Sequence, residues 1–147
     1  MRVAARDISA TPACNLRVGR EAFAELWLAA EAHADRSASL GRTDWVAGGV
    51  SITCRWLAAA IVEFNGRHRL PLSPITHSSR PAFEELIEEE YLAAVAMEAQ
   101  PPEQRLYGDR PGYVEAVAAT LRWAWRRNGP VPDLTSVDPL APTTTRS

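Results

Sequence analysis

The densest run of titratable side chains in this 147-residue sequence is Glu84, Glu85, Glu88, Glu89 and Glu90. On a helix, Glu84 and Glu88, or Glu85 and Glu89, share a face at i,i+4 spacing, so carboxylates there can act in pairs as acid and base or hold a metal. A di-metal bundle site asks for more, namely Glu-x-x-His pairs from facing helices. None of His33, His68 and His77 stands three residues after a Glu. The run therefore reads as a solvated acidic helix face, with Glu90 the member that turns inward. A metal-dependent enzyme using Glu84–Glu90 is the third of three functional readings, and no catalytic residue, metal ligand or cofactor is assigned.

His77 lies among Thr76, Ser78 and Ser79, which invites a hydroxyl nucleophile. Such a nucleophile needs a base within hydrogen-bond reach and a third group to orient it. Adjacent residues in a proline-bounded loop seldom supply that geometry, and hydroxyls just before a helix usually cap it. The chain has no glycine-rich phosphate loop, G-x-S-x-G elbow, H-E-x-x-H or paired C-x-x-C.

All 16 basic residues are arginine. Guanidinium makes bidentate and stacked contacts that an ammonium group does not, although a GC-rich bacterial coding sequence accounts for the bias most simply. Two groups stand out as candidate interaction residues. One is Arg122, Trp123, Arg126 and Arg127 near the end of the last helical stretch; the other is Arg67, Arg69, His77 and Arg80 in the connection before the Glu run. Tryptophan and arginine are favoured interface anchors. The net charge of −2 provides no field that would make nucleic acid the default partner. A nucleic-acid-associated helical regulator is thus the second reading.

The elements that must position these residues follow from hydrophobic spacing. Phe23, Leu26, Trp27, Ala30 and Ala34 predict a helix over 20–39, with Leu28 touching a second neighbour and Gly41 ending it. The longest apolar stretch, 44–64, predicts a central helix capped by Thr43 or Asp44 and apolar on nearly every side. Gly48-Gly49 there predicts a close helix crossing, and Arg55 predicts a buried carboxylate partner, with Glu90 first choice. Asn65-Gly66 is assigned to helix termination in preference to a type I′ hairpin between 61–64 and 67–70. A third helix over 81–99 is expected to be capped by Ser79, to bury Phe83, Leu86, Ile87, Ala94 and Met97, and to stop at Pro101-Pro102. A fourth, over 111–128, buries Val114, Val117, Leu121, Ala124 and Trp125.

One echo runs through the chain: V-x-x-T-x-R-W occurs at Val50–Trp56 and again at Val117–Trp123. If it marks a duplicated helical hairpin, Arg55 and Arg122 occupy related positions in a pseudo-twofold bundle.

The expectation is an all-α, single-domain bundle of about four helices over 19–129, with an irregular arm over 1–18 and a Pro/Thr-rich tail over 130–147 that stays disordered unless bound. Cys14 and Cys54 are too few for a disulfide framework and fit a reducing cytoplasm. Arg55 in mid-stretch argues against a membrane span at 45–64, and no signal peptide is evident. The leading functional reading is a non-enzymatic protein–protein interaction module, such as an adaptor, assembly subunit or cognate partner, acting through another protein or by self-assembly, without a cofactor.

Overall fold

The computed structural model describes residues 5–60 and 62–135, with backbone only for 62–64. It is an all-α bundle. A five-residue helix α1 (Ala5–Ser9) leads through a 3₁₀ turn at Ala13–Asn15 to α2 (Arg20–Ser39) and α3 (Trp45–Leu57). A hairpin of β1 (Val62–Phe64) and β2 (Arg67–Arg69) follows, then α4 (Glu84–Glu98) and α5 (Tyr113–Ala124). Helices α3 and α5 pack together in the middle, with α2 against α3 and α4 against α5. No helix among the described residues is long and apolar enough to cross a membrane.

Helix α2 buries Phe23, Leu26, Trp27 and Ala30 on one stripe, and Gly41, at φ +72°, turns the chain out of it. Leu28, expected to meet a second neighbour, is instead 48% exposed. Asp44 then caps α3 by accepting the Ala47 N–H at 3.0 Å. In α3, Ala47, Val50, Cys54 and Leu57 have no exposed surface, as a central helix requires. The predicted glycine pair divides. A Cβ on Gly49 would lie 2.9 Å from the Tyr113 carbonyl oxygen and 3.0 Å from Ala116 Cβ, whereas one on Gly48 would meet nothing within 4 Å. Gly49 alone makes the close crossing with α5.

Helix α3 is shorter than expected, ending at Leu57 instead of continuing to Phe64. Ala59 adopts φ +53° and turns the backbone aside. Asn65 (φ 51°) and Gly66 (φ 74°) then form the two-residue turn of a hairpin in which Phe64 pairs with Arg67 and Val62 with Arg69. Both central residues sit at positive φ, which is the type I′ geometry that Asn-Gly favours. The assignment of Asn65-Gly66 to helix termination is therefore corrected. The apolar run misled because β-branched and aromatic residues fit either element. Ile61 lies outside the described residues.

Helix α4 also starts later than expected, at Glu84, with Phe83 in extended backbone before it and no side-chain cap, so Ser79 does not cap it. Pro81 keeps the preceding residue out of helical geometry. The Ala82 carbonyl accepts Asn15 Nδ2 at 3.2 Å, while Asn15 also reaches the Leu57 carbonyl at 2.8 Å. This wholly buried amide ties the N-terminal arm to the ends of α3 and α4. Phe83 is 37% exposed, and Glu90 takes a place on the buried line of α4 beside Ile87 and Ala94. Helix α5 buries Val114, Val117, Leu121 and Ala124 as expected and ends at Ala124, with Trp125 largely buried just beyond it. The chain continues past it so that Leu134 joins the core; the rest of the tail expected over 130–147, from 136 on, lies outside the described residues.

The two V-x-x-T-x-R-W segments are α3 and α5 themselves. Thr53 donates to the Gly49 carbonyl and Thr120 to the Ala116 carbonyl, both at 2.7 Å. Gly49 and Ala116 are corresponding positions of the echo, and they meet at the crossing. Glu31 stands 24 residues before Arg55 and pairs with it; Glu98 stands 24 residues before Arg122 and pairs with it. The echo thus extends to both outer helices.

Candidate functional site

The predicted partner of Arg55 is replaced by another carboxylate. Arg55 Nε donates to Glu31 Oε1 at 2.8 Å and Nη2 to Oε2 at 2.7 Å, a bidentate fork. Ser51 Oγ and Trp27 Nε1 also donate to Glu31 Oε1, at 2.6 and 3.2 Å. Glu31 is therefore saturated, and it neutralises Arg55. Glu90 does turn inward, but toward backbone: it accepts the N–H groups of Ile75 (3.2 Å) and Thr76 (3.1 Å). Arg55 and Glu90 do not form the expected pair, because α4 packs on α5 and α2 is the neighbour of α3.

Glu90 is one of three side chains that fasten the loop 71–78. Tyr113 donates to the Pro74 carbonyl at 2.6 Å and Tyr107 to the Ile75 carbonyl at 2.7 Å. Within the loop, Ser73 Oγ accepts the Ser78 N–H at 2.8 Å and shares a hydrogen bond with Thr76 Oγ1 at 3.0 Å. Its hydroxyls are thus occupied in holding the loop. The loop carries His77 at φ +55°, a left-handed conformation that a non-glycine residue keeps only when its surroundings impose it. His77 Nε2 lies 3.1 Å from Tyr107 Oη. Since the Tyr107 hydroxyl hydrogen is committed to Ile75, the imidazole is the donor in this contact and its neutral form carries the proton on Nε2.

Facing this loop is Arg110, in the connection between α4 and α5. Its guanidinium lies over three rings, 5.0 Å from the centroids of Trp45 and Tyr107 and 5.4 Å from that of Tyr113. It forms no ion pair with any described residue. Arg110, Arg55 and His77 border a cavity of about 290 Å³ whose remaining walls include Ile52, Leu72 and the Tyr113 ring. Burial raises the pKa of Tyr113 and Tyr107 above the ordinary value; Arg110 opposes this and Glu90 reinforces it.

A second, shallower cleft of about 420 Å³ lies past the end of α5 and is lined by Arg17, Glu88, Trp125, Arg126 and Arg127. Arg17 is placed there by its own backbone, whose N–H donates to the Ala124 carbonyl at 2.7 Å. Its guanidinium covers the Trp125 ring at 4.1 Å. Glu88 accepts Trp125 Nε1 at 3.1 Å and pairs with Arg126, which also lies over Tyr91 at 4.8 Å. Arg127, at φ +50°, is exposed.

The eight candidate interaction residues are therefore dispersed. Arg126 and Arg127 share the second cleft, and His77 borders the first. Arg122 pairs with Glu98 at 3.4 Å, its pKa raised chiefly by a hydrogen bond with Tyr91. Trp123 is half-buried against the core. Arg67 and Arg69 are exposed on β2, and Arg80 lies over Phe83 at 5.5 Å; none of these three lines either cleft. Among the Glu84–Glu90 carboxylates, Glu84 faces Arg17 at 3.9 Å, Glu88 faces Trp125 and Arg126, and Glu90 holds the loop. Among the described residues, no group of three or more His, Cys, Asp or Glu side chains is placed to hold a metal ion. Sequence reasoning missed Arg17, Glu31, Tyr107 and Arg110. Of these, Glu31 had a signal, since it follows Trp27 by four residues on the apolar stripe.

Compared with known families, curated proteins and solved structures, the chain matches none.

Proposed function

We propose that this chain is a non-enzymatic helical interaction module that binds another protein through the cleft past the end of α5. The observation that carries this is one open depression in which the exposed Arg126 and Arg127 stand beside Arg17, whose guanidinium is itself held over the largely buried Trp125 ring. Tryptophan and arginine supply most of the energy at protein interfaces when they are held in place before binding. Here the Trp125 ring is fixed by Glu88 at its N–H edge and by Arg17 over its face, and Arg127 presents a guanidinium to solvent. The partner surface that fits is a short acidic segment with an apolar or aromatic residue. Glu84 and Glu88 on the same face would repel a continuous phosphate backbone, which favours protein over nucleic acid. Free thiols at Cys14 and Cys54 suit a bacterial cytoplasm.

The test is capture of the full chain with its partners from native cells, in parallel for wild type and the double variant Arg126→Glu, Arg127→Glu. Both residues are exposed, so helical content by circular dichroism should be unchanged. The proposal expects a stoichiometric protein, or a second copy detected by native mass, held by wild type and lost from the variant. The same associations in both, or a monomer with no stoichiometric partner in either, would overturn it.

A further inference from the structure

We propose that the cavity between α3, the 71–78 loop and Arg110 binds a monoanionic ligand consisting of one carboxylate on a small apolar body, with Arg110 as the carboxylate receptor. The inference is independent of the cleft past the end of α5.

Three observations converge on it. The first is charge. Two guanidinium groups border the cavity, but Arg55 is already neutralised by the bidentate Glu31. Arg110 pairs with no carboxylate among the described residues; it is held by Trp45, Tyr107 and Tyr113 alone. Aromatic rings hold a cation in place without cancelling its charge. A fixed guanidinium then offers a planar fork that matches a carboxylate. The buried Glu90 charge beneath the loop weighs against a doubly charged ligand, so one negative charge is the best match.

The second observation is shape. The volume of about 290 Å³ is near the lower end of small-ligand sites, which are mostly apolar with a few placed polar groups. Ile52, Leu72 and the Tyr113 ring form the apolar wall, and Arg110 and His77 stand at its edge. Leu72 is 49% exposed, and an apolar ligand body would cover it.

The third is rigidity. The loop bearing Leu72 and His77 is tied down by Glu90, Tyr107 and Tyr113, all buried. Three buried side chains from two helices and a connection hold a left-handed His77 in position. A wall held this way loses little freedom when a ligand settles against it.

The carboxylate can come from a free small acid or from the C-terminus of a polypeptide, and the probes separate the two. Phenylacetate stands for the first and N-acetyl-phenylalanine for the second, each compared with its neutral amide. Binding is followed on the full chain by two-dimensional NMR, reading the Arg110 side-chain Nε–H, the Trp45 indole N–H and the Tyr113 amide. The expected result is saturable shifts at these groups for at least one acid, with its amide at least about tenfold weaker, as loss of a charge-assisted contact implies. An acetylated amino acid that binds better than phenylacetate assigns the site to chain termini; the reverse assigns it to a free acid. Arg110→Gln should weaken binding by at least about tenfold. If that variant fails to fold, Leu72→Asp decides, because it places a like charge on an exposed wall position: loss of the apolar contact weakens acid and amide alike, and the like charge should weaken the acid further than the amide. No saturation by either acid up to about 20 mM, weaker than any affinity a held guanidinium should give, would overturn the proposal. So would amides that bind as well as the acids, or acid binding unchanged in a folded Arg110→Gln or in Leu72→Asp.

Discussion

Truncating Glu31 to alanine should destabilise the protein far more than truncating Glu98, although each acid stands 24 residues before the arginine it pairs with. The magnitude follows from burial. The Glu31 side chain is 9% exposed and its Arg55 partner 21%, whereas Glu98 and Arg122 are 32% and 31% exposed with their closest atoms 3.4 Å apart. Removing one member of a buried pair strands the other and typically costs about 3–5 kcal/mol. The partial exposure of Arg55 lets solvent reach it, which puts Glu31→Ala near the lower end, about 3 kcal/mol. Two further donors, Trp27 Nε1 and Ser51 Oγ, lose their acceptor as well. The exposed pair is screened by water, and Glu98→Ala should cost about 0–1 kcal/mol. Urea unfolding followed by tryptophan fluorescence and far-ultraviolet circular dichroism measures both, the m-value serving as check that only stability has changed. Glu31→Gln should fall between, since it keeps an acceptor for Ser51 but loses the charge opposite Arg55. Equal losses for Glu31→Ala and Glu98→Ala, within about 0.5 kcal/mol of each other, would refute the reasoning that burial separates the two pairs.

Other outcomes follow from the same coordinates. Gly48→Ala should stabilise by up to about 1 kcal/mol, because the helix gains propensity and the new Cβ meets nothing within 4 Å. Gly49→Ala should instead destabilise by about 1–3 kcal/mol, since its Cβ would press on the Tyr113 carbonyl 2.9 Å away; thermal melts of the two variants compare them directly. Cys14 should react with a thiol reagent in the folded protein and Cys54 only on unfolding, because Cys54 is wholly buried and burial pushes its thiol pKa up; mass spectrometry after timed alkylation reads this. Tyr113 has a folded pKa raised above its ordinary value of 10.0, chiefly by burial and then by Tyr107. A raised pKa gives a contribution that is full below the unfolded value and lost as pH climbs toward the folded one. Stability should thus decline above about pH 10, and Tyr113→Phe should flatten that decline in pH-dependent urea unfolding.

The parts of the fold legible in the sequence were those in which one local pattern had one structural solution. Phe23, Trp27 and Ala30 recur at a spacing that only a helix turns to one side, and Asp44 before an apolar run is a cap whose oxygen finds the Ala47 N–H. The hairpin ranked second to helix termination because Ile61–Phe64 continues the apolar run of α3, and only the Asn65-Gly66 pair marks the change. Tertiary partners were less legible. Glu90 and Glu31 are both carboxylates at inward positions, and nothing local decides which meets Arg55; the answer depends on α2, not α4, lying against α3. Tyr107 and Arg110 sit in an aperiodic connection, so no hydrophobic period pointed to them. Their importance comes from packing, since Arg110 gathers Trp45 and Tyr113 from two different helices.

The two halves of the bundle explain why the charge available to a ligand lies outside the repeated elements. Glu31 is held by Trp27, four residues before it, and by Ser51, four residues before Arg55. At the corresponding places in the second half stand Ala94 and Ala118, both buried and neither able to donate from its side chain. Glu98 therefore lacks the donors that would offset its burial and stays near the surface with Arg122. Each half has used its arginine within itself: one pair is sunk into the core, and the other is half in water. Where the halves differ most is in their connections, since residues 40–44 suffice to link α2 to α3 whereas residues 99–112 link α4 to α5. Arg110 belongs to that longer connection, and the loop that faces it belongs to the segment joining the halves. Arg110 and the loop facing it thus lie outside the two segments that carry the V-x-x-T-x-R-W echo.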